Sequence, residues 1–192
     1  ELSGRADVLL KAQGMTQGSV AERIAAMGAD PKYIYPNTDA GKAELIGKLN
    51  EQMGAMQARL PNAFGRLPKA GAEIKRVPPA VEQGAPMGYY NGPSLDGSRP
   101  GIYYVNLSDM TQVLKPQIEG ISYHEGAPGH HFQIAYAQEL GEMPRFRRFG
   151  GYGAYAEGWG LYAEGLGKEM GFYQDPYSDF GRLSTELWRA VR

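Results

Sequence analysis

Glycine and proline interrupt this chain so often that no long element can form in it without a packing reason. There are 27 glycines and 13 prolines in 192 residues, roughly a fifth of the chain against a usual combined share of about 12%. Such a share can mean disorder. Here, however, the glycines stand among 13 Tyr, 6 Phe and 2 Trp rather than in runs of Ser, Gln and Glu, so the reading is closely packed backbone with many turns. Lys and Arg total 20 and Asp and Glu 21, a net charge of -1, which lacks the basic excess of a nucleic-acid binder. No apolar run approaches the ~18 residues of a membrane span. The absence of cysteine excludes a disulfide framework, thiolate metal sites and cysteine catalysis.

The chain reads as one partial domain over 1–192: a helical segment at 1–60, a loop and β-ribbon segment at 61–107, and a second helical segment at 108–192. It has no start Met, residues 2–12 read as a helix already under way, and Leu183, Leu187 and Val191 form an apolar helical face with no stop signal after it. A fragment of a longer protein is therefore expected. Ser19 and Glu22 form a capping box for a short helix ending near Gly28. A helix over 40–60, N-capped by Thr38 or Asp39, carries the apolar stripe Leu45, Leu49, Met53, Met56, Leu60 and stops at Pro61. Ile74–Val77 predicts a short strand, and Met87–Tyr90 with Ile102–Leu107 predicts an antiparallel pair around a loop of turn formers. Helices follow at about 116–126, 129–141, 152–170 and 178–192. The fold class is mostly α, with a small antiparallel β-ribbon before the richest segment.

That segment holds all three histidines of the chain in one window, Tyr123-His124-Glu125-Gly126-Ala127-Pro128-Gly129-His130-His131. Neutral imidazole is the commonest metal ligand, and a Glu next to a ligating His is the usual base of zinc hydrolases. The helical form of that motif places two residues between the Glu and the second His; here there are four. On a straight helix His130 would lie about 240° around from His124, whereas His131 would lie about 20° off the same face but roughly 10.5 Å along the axis. Neither position suits a shared metal. Pro128 removes a helical N–H, and Gly126 and Gly129 loosen the backbone. A bulge or kink at 126–129 is expected, able to swing His130 toward His124, with His131 as the rival. Downstream, Glu157 and Glu164 lie seven residues apart on one helical face among small residues at Gly153, Ala154, Ala156, Gly158, Gly160 and Ala163. Glu157 is the candidate third ligand, because its flanks are apolar and so many helical glycines ask for a packing or site reason.

The stretches His-Glu-Gly-Ala-Pro-Gly-His-His-Phe-Gln (124–133) and Ala-Glu-Gly-Trp-Gly-Leu-Tyr-Ala-Glu (156–164), with Gly-Tyr-Tyr-Asn (88–91) and Pro-Gly-Ile-Tyr-Tyr-Val-Asn-Leu (100–107), resemble the bacterial domain-of-unknown-function family 885. The resemblance extends over most of the chain. It implies a helical zincin-like fold of the gluzincin kind, similar to thermostable-carboxypeptidase and angiotensin-converting-enzyme type zinc peptidases, which cleave peptides in a deep cleft. It also implies that this chain is a fragment of a longer member. Carried over by motif, it implies His124, His130 and Glu157 as Zn2+ ligands and Glu125 as general base; the inserted residues leave His131 open against His130.

The expected chemistry is peptide hydrolysis by metal-activated water with Glu125 as base. Tyr155 or Tyr152 is the in-chain candidate for an oxyanion donor. Tyr89–Tyr90 or Tyr103–Asn106 could pair with an extended substrate at a sheet edge. Arg145, Arg147 and Arg148 form a basic cluster that could hold a carboxylate. The expected partners are a peptide or small amide substrate and the remainder of the full-length protein. Nucleic acid and a membrane span are not expected; the sequence does not fix a compartment, and the periplasm or cell envelope of a bacterium is the candidate location of the full-length protein. Two alternatives stand beside this reading: a non-catalytic peptide-binding scaffold on a degenerate peptidase fold, and a zinc amidohydrolase or esterase.

Overall fold

The computed structural model describes residues 1–191, without the side chains of Arg148 and Phe149. The helices are α1 (Leu2–Ala12), α2 (Val20–Ala29), α3 (Asp39–Arg59), α4 (Pro79–Glu82), α5 (Lys115–Glu125), α6 (His130–Glu139), α7 (Arg145–Phe149), α8 (Gly153–Glu169) and α9 (Pro176–Val191). The strands are β1 (Ala72–Arg76), β2 (Gly88–Asn91) and β3 (Gly101–Val105). The mostly helical reading holds, and the caps form as expected. Ser19 Oγ accepts the Glu22 amide at 3.2 Å while Glu22 Oε2 accepts the Ser19 amide at 2.7 Å, and Thr38 caps α3 by accepting the Gly41 amide. The short helices α4 and α7 have too few residues to show a period and were not anticipated.

The sheet corrects one expectation. β2 and β3 pair antiparallel, from Gly88 opposite Val105 to Asn91 opposite Ile102. A third strand, β1, runs parallel on the other side of β3, so the order is β1-β3-β2. A parallel partner is reached only through a crossover, which leaves no local signature in sequence. Tyr103–Val105 therefore belong to a central strand with both sides occupied and cannot take a substrate strand, and Asn106 follows it directly; Tyr89–Tyr90 lie on an edge. The Asn50 side chain of α3 covers the Ile74 backbone, accepting its N–H at 3.0 Å and donating to its carbonyl at 2.9 Å.

The stripe of α3 is buried as its spacing requires: Leu45, Leu49, Met53 and Met56, with Leu60 just after the helix. It packs with Ile74, Tyr103 and Val105 of the sheet and with Ile118 and Tyr123 of α5 in one core. Each such apolar side chain contributes about 1.5–3 kcal/mol by leaving water. A second cluster, Ala6, Leu10, Met27, Tyr33 and Phe180, joins α1 and α2 to α9.

α5 is the most enclosed helix, packed on α9, α8 and α3. The closest approach is to α9, where a Cβ on Gly181 would stand 1.8 Å from the Pro116 carbonyl oxygen. A small residue thus sets how closely α9 meets α5, and the expected apolar face of α9 is buried at Leu183, partly buried at Leu187 and exposed at Val191, 77% accessible at the end of the helix. Gly181→Ala is expected to lose about 1–3 kcal/mol of stability through overpacking. Gly165→Ala, where an added Cβ meets nothing within 4 Å, should be neutral or stabilising by up to ~1 kcal/mol. Denaturant midpoints of the two variants provide the comparison.

Candidate metal centre

The chain does not kink at 126–129; it breaks. α5 ends at Glu125 and α6 begins at His130. The connection contains a cis Ala127–Pro128 bond and is tied down by the Trp159 indole, which donates to the Pro128 carbonyl at 2.8 Å. The His131 amide donates to the Gly126 carbonyl at 3.0 Å. Gly129 passes so close to α5 that a Cβ there would lie 1.9 Å from the His124 carbonyl oxygen.

The break brings His130 beside His124. Their ring centroids are 4.7 Å apart and the planes are nearly perpendicular, at 80°. One ligand atom from each of His124, Glu125 and His130 fits within 4.8 Å. From α8, the Glu157 carboxylate reaches both imidazoles, with Oε2 at 3.3 Å from His124 Nε2 and Oε1 at 3.6 Å from His130 Nε2. Two ligand atoms on one zinc at tetrahedral angles stand roughly 3.3–3.5 Å apart, which is near the two Glu157–imidazole distances.

The remaining nitrogens show how the rings are held. His124 Nδ1 lies 2.8 Å from Glu164 Oε1. Glu164 is buried, and it also accepts from Thr185 and from the Arg189 guanidinium. The fixed Glu164 carboxylate thus orients the ring through Nδ1 and leaves Nε2 facing Glu157. His130 Nδ1 and both amide atoms of Gln133, one turn further on, are buried with no hydrogen-bond partner among the described residues. Burial, then the neighbouring His124, lowers the His130 pKa and favours its neutral ligating form.

His131 points into the scaffold. Its Nδ1 bonds the Tyr90 hydroxyl at 2.8 Å and its Nε2 the Ala70 carbonyl at 3.0 Å, so both ring nitrogens are used in joining α6 to β2 and to the segment just before β1. Glu125 is half-buried at the end of α5, and burial raises its carboxyl pKa, opposed by His124 and reinforced by Glu157. Tyr155, 66% exposed, and Tyr152, 84% exposed, make no side-chain hydrogen bond among the described residues. Tyr155 is about 200° around α8 from Glu157, and Tyr152 is the N-cap of that helix. Arg145 and Arg147 are exposed on α7, and the Arg148 side chain lies outside the described residues.

Sequence reasoning located Glu164 on the face of Glu157 but gave it no role, and it missed Arg189, Thr185 and Trp159. The seven-residue spacing of the two carboxylates was the available signal; that the second would meet His124 depends on how α8 docks on α5. Gly160 permits that docking, because a Cβ there would stand 2.5–2.8 Å from the His124 ring atoms.

The family model for bacterial proteins of unknown function, DUF885, matches residues 1–192. The crystal structure of a protein from Colwellia psychrerythraea, provisionally described as a lipoprotein, is similar to this chain with a TM-score of 0.95 and 42% sequence identity. The similarity covers 99% of this chain and 33% of that one, so this chain spans about a third of that protein's length. No protein of curated function matches the chain.

Two outcomes follow from the geometry. Gly160→Ala should leave the fold intact but displace the His124 ring, visible as a changed His124 imidazole resonance beside unchanged α3 core signals. In the metal-free protein, stability should fall as pH rises above the usual glutamate value of 4.5 through the raised value of Glu125, since the folded state holds that proton more tightly than the unfolded chain. Glu125→Gln should remove this part of the pH dependence and be the more stable form at pH ~7; thermal melts across pH measure it.

Proposed function

The chain belongs to the bacterial family of unknown function DUF885, and we propose that its His124–Glu125–His130–Glu157 cluster is a zinc centre that hydrolyses peptide bonds. The observation that carries the reading is the support of His124. A buried carboxylate holds one ring nitrogen while the other faces Glu157 and the neighbouring imidazole. His124, His130 and Glu157 would hold the ion. When bound, zinc supplies Lewis acidity and lowers the pKa of a coordinated water toward about 7.

The chain's own residues supply the proton traffic. A Glu125 carboxylate oxygen takes a proton from water beside the imidazoles as the water oxygen bonds to the peptide carbonyl carbon; the same group returns that proton to the amide nitrogen as the C–N bond breaks, leaving a carboxylate and an amine. Partial burial, which raises its pKa, makes the carboxyl a better proton holder than an exposed glutamate. Glu164 keeps His124 oriented throughout, and Arg189 and Thr185 keep Glu164 in place. No oxyanion role is assigned to Tyr155. The substrate class is a peptide or small amide, and the remaining length of the full protein would complete the cleft around it. A cell-envelope location is part of the same reading, supported by the description of the Colwellia protein. No helix of the described residues is long and apolar enough to cross a membrane.

Elemental analysis of the zinc-loaded chain tests the centre. About one zinc per chain is expected, lost in His124→Ala and His130→Ala and kept in His131→Gln. Glu125→Gln should keep the metal and lose about 10²–10⁴-fold in peptide hydrolysis. Absence of zinc after loading, or zinc retained in both ligand variants, would count against the proposal.

A further inference from the structure

One face of α5 forms an apolar track ending at the candidate base. Leu114, just before the helix, and then Ile118, Ile121 and Glu125 recur at spacings of three or four residues and line a common cavity. The opposite wall is Leu49 of α3 with Tyr103 and Val105 of β3, two residues apart and so on one face of the strand. The polar and charged groups at its boundary are Glu125, Arg189, Gln112, Gln117 and the Tyr103 phenol. Its volume is about 230 Å³. An apolar cavity of about 150 Å³ is enough to take up benzene, so this one accommodates a phenyl or branched aliphatic side chain. It is too small for a ligand that would fill the several hundred cubic ångströms of a usual small-molecule site. Through Met87, Gln117, Ile121 and Arg189 it adjoins a larger groove of about 510 Å³ bordered by Leu187 and Trp188.

We infer that this cavity is the specificity pocket of the site: it takes the apolar side chain, of phenylalanine or leucine size, of the substrate residue next to the bond being cleaved. The inference rests on the zinc-hydrolase reading for the word substrate, but the cavity itself is tested without activity. Two observations select this occupant. Glu125 lines the cavity and its carboxylate also lies near the His124 and His130 ligand atoms, so a side chain seated there holds its own backbone amide toward the base. The walls along α3, β3 and α5 offer contact to carbon from Leu49, Val105, Val113, Leu114, Ile118 and Ile121, with the polar groups at the boundary. Filling such a pocket is worth at least about tenfold in affinity over a glycine residue at the same position.

The experiment titrates methyl-labelled protein, with and without zinc, using the N-acetylated amides of phenylalanine, glycine and asparagine, and follows the methyl resonances of Leu49, Val105, Ile118 and Ile121. Saturable shifts of these methyls are expected with the phenylalanine amide, at least about tenfold tighter than with the other two. Ile121→Trp should abolish them. Ile121→Ala, a truncation at a partly buried position, should keep the fold and move the preference toward the bulkier naphthylalanine amide. Equal binding of the three amides, shifts confined to other methyls, or a preference unchanged in both variants overturns the pocket. Zinc content measured on the same samples separates the two ideas. Apolar binding without zinc retains the pocket and removes the metal centre, and zinc without apolar binding does the reverse.

Discussion

A helix can be enclosed on three sides only if every polar group it carries inward finds a partner, and α5 meets that condition with carboxylates. Glu119 accepts the Tyr123 hydroxyl and the Tyr173 amide, each at 3.0 Å. One turn beyond, His124 meets Glu164 from α8. Without these bonds the core around Tyr123 would enclose unpaired charge, at a cost of several kcal/mol per group. With them, α5 is fixed against both neighbours, and its last two residues are presented in a defined direction. The position of the candidate metal centre is therefore a consequence of how the buried helix is satisfied.

The same logic explains the glycine content. At Gly181, Gly160 and Gly129 an added methyl group would strike a carbonyl oxygen or an imidazole. These residues set the distances from α5 to α9, to α8 and to the break that follows it. Gly165, with open space around it, has no such duty. The excess of glycine thus divides into positions that fix the approach of backbones and positions for which the structure shows no packing reason.

Much of this was legible in sequence where the signal is local. The stripe from Leu45 to Leu60 and the two N-caps follow from spacing alone. The grouping of all three histidines around Pro128 marked the site, and Pro128 correctly implied a disturbed helix. Whether His130 or His131 faced His124 was not legible, because the answer lies in the path of four residues between two helices. The outcome turns on contacts from distant elements: Tyr90 and Ala70 engage His131, and Trp159 holds Pro128. The parallel pairing of β1 and the support from Glu164 are likewise matters of tertiary docking.

The break in the helix also has an electrostatic result that a continuous helix could not give. Aligned peptide dipoles leave roughly half an elementary charge at each helix end, negative at the carboxyl end and positive at the amino end. By stopping at Glu125 and restarting at His130, the chain places one end of each sign within the same few residues. The negative end of α5 lies beside His124 and Glu125, where it favours a cation and disfavours carboxylate ionisation. The positive end of α6 lies at His130, where it disfavours protonation of the ring. An uninterrupted helix would carry its end charges elsewhere, and this window would see only the interior of a dipole array.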